Sequence, residues 1–201
     1  MKKNKKFVPL ILLLISIAGF ALVTLLWPKN EKLPVLGKVS DIQLEEVHAN
    51  GYQLNNEKVK ILAFFYTRCP DFCPLTMADF SLLQEQLKKE DLLGDKVELI
   101  SLSFDPENDT REVIQSYAKS FQADTAGWKW LRGTEEETAK IAKELQMQYT
   151  KVEGDFFSHS TTMYLIDNKN QVRALYDMAS RDKPVDREKI LVDIRYLIHQ
   201  E

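Results

Sequence analysis

The sequence predicts an α/β domain carried behind a single membrane-crossing helix, and three observations predict it. From residue 39 onward, short apolar or alternating stretches are interleaved with stretches of helical spacing, the pattern of strands alternating with helices. The last part of the chain reads as a strand pair followed by a helix. Ahead of all this lies an uncharged apolar run over residues 7–27. At about 1.5 Å rise per residue it just spans the roughly 30 Å hydrocarbon core of a bilayer.

Taken in order, residues 1–6 form a basic tail containing Lys2, Lys3, Lys5 and Lys6, and 7–27 is the expected anchor. Pro9 sits near its start, where a missing amide donor costs little, and Gly19 is tolerated in such helices. The lysines favour a cytoplasmic N-terminus, which puts the rest of the chain outside. A cleaved signal peptide is the rival reading, and both place the domain on the same side. Too few residues precede the apolar run for an Arg- and Ser-rich presequence, so a bacterial cell membrane is expected rather than a mitochondrial one. Residues 28–38 are polar and proline-punctuated, as a tether would be, and the domain is expected over 39–201.

Within that domain, residues 41–45 alternate in polarity and Asn50-Gly51 is a turn signal before 52–54, so an opening hairpin is expected. Residues 59–66 are nearly all apolar, as in a strand buried on both faces. Met77, Phe80, Leu83 and Leu87 then recur at helical spacing, and 97–104 is the next strand. Asp109-Thr110 ahead of Glu112 marks a helix start, with either residue able to cap it. A short strand at 128–131, a helix capped by Thr134, a strand pair at 161–166 and 172–176, and a helix at 186–199 complete the order. That order is the thioredoxin-like variety of α/β sheet.

The formal charge of −3 hides an asymmetry: without the N-terminal tail, 23 basic side chains face 30 acidic ones. No basic patch is interleaved with aromatics, which excludes nucleic acid as an expected partner. Cys69 and Cys73 are the chain's two cysteines, and neither lies near the apolar run, so no lipid-modified cysteine is expected there. In an oxidising compartment such a pair is a structural disulfide, a redox couple or a metal site. A bridge across so short a separation constrains the unfolded chain little, which argues against a purely structural role.

The run Phe64-Phe65-Tyr66-Thr67-Arg68-Cys69-Pro70-Asp71-Phe72-Cys73-Pro74 sets both thiols where a buried strand gives way to a helix. Free amides and the positive end of the helix dipole favour thiolate there. Arg68 favours it too, whereas Asp71 opposes it; Asp71 is equally readable as a helix-start carboxylate. Of the histidines, His48 and His199 read as surface or structural residues. His159 lies just before a strand. Phe64, Phe65, Tyr66, Trp128 and Trp130 read as core or pocket wall.

Three separated stretches resemble the Sco/SenC family, thioredoxin-like copper proteins of cytochrome c oxidase assembly. They are the Cys-Pro-Asp-Phe-Cys-Pro run at 69–74, Ser103-Phe104-Asp105-Pro106-Glu107-Asn108-Asp109-Thr110, and His159-Ser160-Thr161-Thr162-Met163-Tyr164-Leu165-Ile166. The resemblance implies copper, as Cu(I) or Cu(II), held by Cys69, Cys73 and His159, and delivery to the CuA centre of oxidase subunit II. The copper donor is left open. Soft thiolates suit Cu(I), and an added imidazole also accommodates Cu(II). Where a redox thioredoxin carries proline facing its cysteines, this chain reads Ser158-His159-Ser160. Two departures stand out: Ser158 replaces the family's usual aspartate before the histidine, and Arg111 replaces a proline. Asp71 and Asp105 are candidates for supporting the site from behind the ligands.

The competing reading is a thiol:disulfide oxidoreductase, with Cys69 and Cys73 as redox pair, that reduces the cysteines of the oxidase copper site. On the copper reading the chain is a transfer protein, not a turnover enzyme. A peroxidase would need more than the Thr67 and Arg68 that precede Cys69, and no peroxidase-like pattern is present.

Overall fold

The computed structural model describes residues 8–26, 32–41 and 43–200. The basic tail, both ends of the expected span at Phe7 and Trp27, and residues 28–31 of the expected tether lie outside them. The chain divides into two compact units, Met1–Lys32 and Leu33–Glu201. The first contains α1, Val8–Leu26, with no charged residue and with Leu12, Leu13 and Phe20 among its exposed side chains. Among the described residues, no helix is long and apolar enough to cross a membrane.

The second unit carries β1 (Gly37–Lys38), β2 (Gln43–Glu46), β3 (Tyr52–Gln53), β4 (Val59–Phe65), α2 (Phe72–Lys89), β5 (Val97–Ser103), α3 (Arg111–Lys119) and β6 (Trp128–Arg132). It continues with α4 (Glu135–Glu144), β7 (Tyr149–Lys151), a 3-10 turn at Glu153–Asp155, β8 (Phe157–His159), β9 (Thr162–Ile166), β10 (Gln171–Asp177) and α5 (Arg187–Ile198). Eight strands form one sheet in the order β1-β10-β9-β4-β5-β6-β2-β3, and β7 with β8 forms a separate hairpin. The central pairs β4–β5 and β5–β6 are parallel, while β4–β9 and β9–β10 are antiparallel.

Every residue of β4 and β5 is buried, which is why both read as continuous apolar runs rather than alternation. On one face Trp128 and Trp130 stack with centroids 5.1 Å apart, Phe65 meets Trp130 edge-on, and the Trp128 indole donates to Ser101 at 2.9 Å. Each such fully buried side chain contributes about 1.5–3 kcal/mol. Helix starts follow their signals. Thr110 accepts from the Val113 amide, Asp186 from Lys189, and Thr134 with Glu137 forms a reciprocal capping box.

Two features depart from expectation. β1 falls inside the stretch 28–38, paired with β10 through Gly37 opposite Val172. The hairpin β7–β8 occupies a stretch with no predicted element, so His159 ends a strand instead of sitting in a bare loop. Strands this short carry too few positions to display a period. Their turn is made by Gly154 in the left-handed region at φ 77° and closed by the Val152 amide donating to Phe156 at 2.7 Å.

Candidate metal centre

The site begins where β4 stops. The Cys69 amide donates to the Tyr66 carbonyl at 3.2 Å, a tight turn that brings the first thiol back over the strand end. α2 starts at Phe72, ahead of the apolar spacing that begins at Met77, so Cys73 lies in its first turn and Pro74 follows where no amide is needed. The Cys73 amide points at the Cys69 sulfur, 3.5 Å away. Both cysteines are free thiols and both are buried, Cys73 completely.

His159 arrives from the opposite side on β8, with Tyr149 of β7 paired to it. Its ring packs against Phe104, with centroids 5.2 Å apart, and edge-on against Tyr66, and both of those rings also meet Phe157. Nδ1 lies 2.9 Å from the Ser160 carbonyl. A carbonyl only accepts, so Nδ1 carries the proton and Nε2 is the nitrogen available to a ligand. The main chain of Ser160, not a side chain at position 158, orients the imidazole. One ligand atom each from Cys69, Cys73 and His159 lies within 4.8 Å of the others.

The two thiols are electrostatically unlike. The Cys73 thiol donates to Cys69, and with hydrogen bonds from His159 and the amides of Asp71 and Cys73 it outweighs burial, pulling the Cys69 pKa down to about 4. Cys73 is pushed well above an ordinary thiol by that same bond and by burial. Burial pushes His159 down, but the Cys69 thiolate and the Ser160 carbonyl win, and its pKa is raised. Without metal the site therefore holds a thiolate beside an imidazole whose protonated form is favoured, with a thiol behind them.

Cys69 and His159 open on a cavity of about 340 Å³ walled by Tyr66, Phe72, Phe156 and Phe157, and Cys73 lies behind it. A larger hollow of about 840 Å³ near Glu45, Arg132 and Thr134 touches none of the three. Donor chemistry, not volume, locates the site.

The other candidates fall outside the triangle. Asp71 stands at the N-cap of α2 without a capping bond and turns to the exposed Arg181, 3.2 Å away. Asp105 is buried and accepts from Asn108 and from Arg68 at 3.2 Å, so the cation expected to favour thiolate is held by a carboxylate. His48 contacts Glu46 beside the first hairpin, and His199 caps α5. Sequence reasoning missed Asp109. Thr110 alone caps α3, leaving the fully buried Asp109 carboxylate to accept from the Thr67 amide at 3.2 Å and from the hydroxyls of Thr67 and Ser103. Two adjacent capping residue types concealed the division of labour.

The sequence profile of the SCO1/SenC family matches residues 45–197. The chain belongs to this family. A Stutzerimonas stutzeri protein named as a candidate copper-binding protein is 30% identical over 157 residues, covering 74% of this Sco/SenC chain and 71% of its own. A SCO1/SenC family lipoprotein from Bacillus anthracis superposes with a TM-score of 0.74 at 27% identity, over 84% of this chain and 99% of its own. Arabidopsis thaliana ScoI, solved with copper bound, shares the fold at a TM-score of 0.66 and 24% identity, over 81% and 99% of the two chains. The thioredoxin-like α/β architecture is thus the Sco fold.

Proposed function

We propose that this Sco/SenC protein binds copper as cargo through Cys69, Cys73 and His159 and delivers it to the CuA centre of cytochrome c oxidase subunit II. The observation that carries the reading is the convergence of two thiol sulfurs and an oriented imidazole within 4.8 Å of one another, beside a cavity that Cys69 and His159 line. That donor set is soft enough for Cu(I) and holds the nitrogen donor that Cu(II) favours. Family membership and the copper-binding name of the Stutzerimonas relative support the metal. The oxidase as destination rests on the family resemblance in the three motifs.

Each residue has a distinct task. Cys69, already a thiolate, is the first sulfur an incoming ion meets. Cys73 supplies the second from below once its proton leaves, and His159 closes the set through Nε2. Delivery outside the cytoplasm requires export of the domain, and the uncharged sequence over 7–27 with the exposed leucines of α1 supports export behind a retained anchor. The layout is then a tail at 1–6, the anchor, a tether shorter than the expected 28–38 because the chain joins the sheet from Leu33, and the copper domain from there to 201. Resistance of the chain to extraction from bacterial membranes by alkaline carbonate tests it, and release into the soluble fraction refutes it.

The deciding experiment is copper titration of the reduced full chain beside His159→Ala. The wild type takes up one copper with a thiolate-to-copper charge-transfer band, and the variant loses tight binding while Cys69 and Cys73 still exchange with disulfides. Wild-type affinity in the variant overturns the three-donor site. One observation favours a second reading: a thiolate backed by a buried thiol is the arrangement of an attacking and a resolving sulfur. In that reading the Cys69 thiolate attacks a substrate disulfide, forming a mixed disulfide and releasing one substrate thiolate; Cys73, once deprotonated, attacks the Cys69 sulfur and displaces the second, so the substrate is reduced and the pair oxidised by two electrons. A wild-type chain that reduces disulfides and takes up no copper favours it.

A further inference from the structure

The segment from Ser103 to Asp109 is a motif whose role the donor triangle leaves unassigned, and it contacts the cysteine loop residue by residue. Phe104 packs on Tyr66 with centroids 5.2 Å apart, and equally on His159. The Asp109 carboxylate takes the Thr67 amide and hydroxyl, and Asp105 takes Arg68. Tyr66, Thr67 and Arg68 are the three residues ahead of Cys69. The segment is itself braced: the Ser103 hydroxyl donates to Asp109, the Asp105 amide donates to Ser103 Oγ at 3.1 Å, and the Asp109 amide donates to the Asp105 carbonyl at 2.9 Å.

Of these contacts Asp109 is the least expected. It is fully buried, and the partners that hold its carboxylate are one amide and two hydroxyls, none of them cationic. Burying a carboxylate without a cation is expensive, and burial raises its pKa against the three hydrogen bonds. Helix capping does not account for it, because Thr110 fills that position. What the carboxylate alone supplies is a two-oxygen acceptor able to take the Thr67 amide, the Thr67 hydroxyl and the Ser103 hydroxyl together. A neutral amide side chain has one acceptor oxygen and would set a donor against a donor.

We propose that Asp109 is a positioning residue that, through Thr67, locks the turn after β4 so that Cys69 faces Cys73 and His159. The inference rests on the copper reading of those three side chains but is readable without metal. Loosening the Thr67 clamp frees the turn closed by the Cys69 amide on the Tyr66 carbonyl, so that Cys69 is no longer held facing the other two side chains.

The test compares full-length wild type, Asp109→Asn, Thr67→Val, and Glu98→Gln as a control. Glu98 is an equally buried carboxylate at the far end of β5, held by Tyr52 and Lys58. In metal-free protein, hydrogen-exchange protection of the Cys69 amide, which donates to the Tyr66 carbonyl, is expected to fall about tenfold in Asp109→Asn and in Thr67→Val, and to stay at the wild-type level in Glu98→Gln. With copper, Asp109→Asn is expected to bind about 10–100-fold more weakly, with a displaced thiolate-to-copper band. Unchanged protection of the Cys69 amide in folded Asp109→Asn, or an equal fall in the Glu98→Gln control, overturns the proposal. If the wild type takes up no copper while the protection pattern holds, the copper reading fails and the positioning role stands.

Discussion

Loading a metal onto this site has to displace protons, because two of its three donors hold them in the metal-free state. Cys73 is kept protonated by its bond to Cys69 and by burial, and against its own burial the Cys69 thiolate and Ser160 favour the protonated form of His159 below its raised pKa. Near pH 6 copper uptake is expected to release about two protons per ion, falling to about one as pH rises past the raised imidazole pKa. Proton release in weakly buffered solution measures it, and release of none would mean that neither donor binds. The same ionisations govern stability without metal. Cys69 is depressed from about 8.5 in an unfolded chain, so its contribution is present above that pH and is lost as pH falls toward about 4. His159 is raised, so its contribution is present below about 6.5 and is lost as pH rises through its folded pKa. Chemical denaturation across pH 4–9 should show His159→Ala losing the alkaline-side fall of the wild type. An identical pH profile for the two would show that the ion pair does not contribute.

At the scale of elements, β4 holds the cysteine loop, and it contains one residue that its apolar run does not explain. Lys60 is fully buried at the end of the strand away from the thiols, donating to the Lys58 carbonyl at 2.7 Å. Burial lowers its pKa to about 8 against the attraction of Glu98 and Asp167. At pH 7 the fold therefore bears the penalty of a desolvated ammonium, which lessens as pH rises from 8 toward the unfolded value of about 10.4. Lys60→Met is expected to stabilise the protein by roughly 1–3 kcal/mol at pH 7, with the gain shrinking by pH 10. Urea unfolding at both pH values checks this, and destabilisation at pH 7 would show that the Lys58 carbonyl needs its partner more. Elements like β4 were legible because burial on both faces leaves an apolar run, and helix starts because Thr110, Thr134 and Asp186 accept amide hydrogen bonds. The hairpin that delivers His159 was not legible. Its strands have three residues each, and Lys151 through Gly154 are all exposed, so neither period nor burial marks them. The donor residues could be named from motif order, whereas Asp109 and the Ser160 carbonyl act through contacts that only the folded chain brings together.

At the scale of the whole domain, the chain after Leu33 is bound into the sheet edge by one side chain. Arg173 on β10 donates through Nε to the Pro34 carbonyl at 3.1 Å and through its terminal nitrogens to the Leu33 carbonyl at 2.6 Å and to Asp167 at 2.9 Å. Its side chain is 14% exposed and that of Asp167 6%, so water screens the pair weakly. The Asp167 carboxylate also accepts from the amides of Lys169 and Gln171, which fixes the turn between β9 and β10. One guanidinium thus ties the stretch leading into the domain to the hairpin at the centre of the antiparallel half of the sheet. The Leu36 amide, donating to Val172 at 2.8 Å, and the Val39 amide, donating to Asn170 at 2.9 Å, extend the same strap. Arg173→Ala removes three bonds and leaves Asp167 without its partner, which should cost about 2 kcal/mol. Lysine restores the charge but not the planar fork, so Arg173→Lys should recover only part of that loss. Hydrogen exchange at Leu36 and Val39 is the direct measurement. Protection there is expected to collapse in Arg173→Ala while β4 and β5 stay protected, because the strap lies at the edge and the core does not depend on it. Wild-type protection at both amides would mean that the two-residue strand β1 holds the edge unaided.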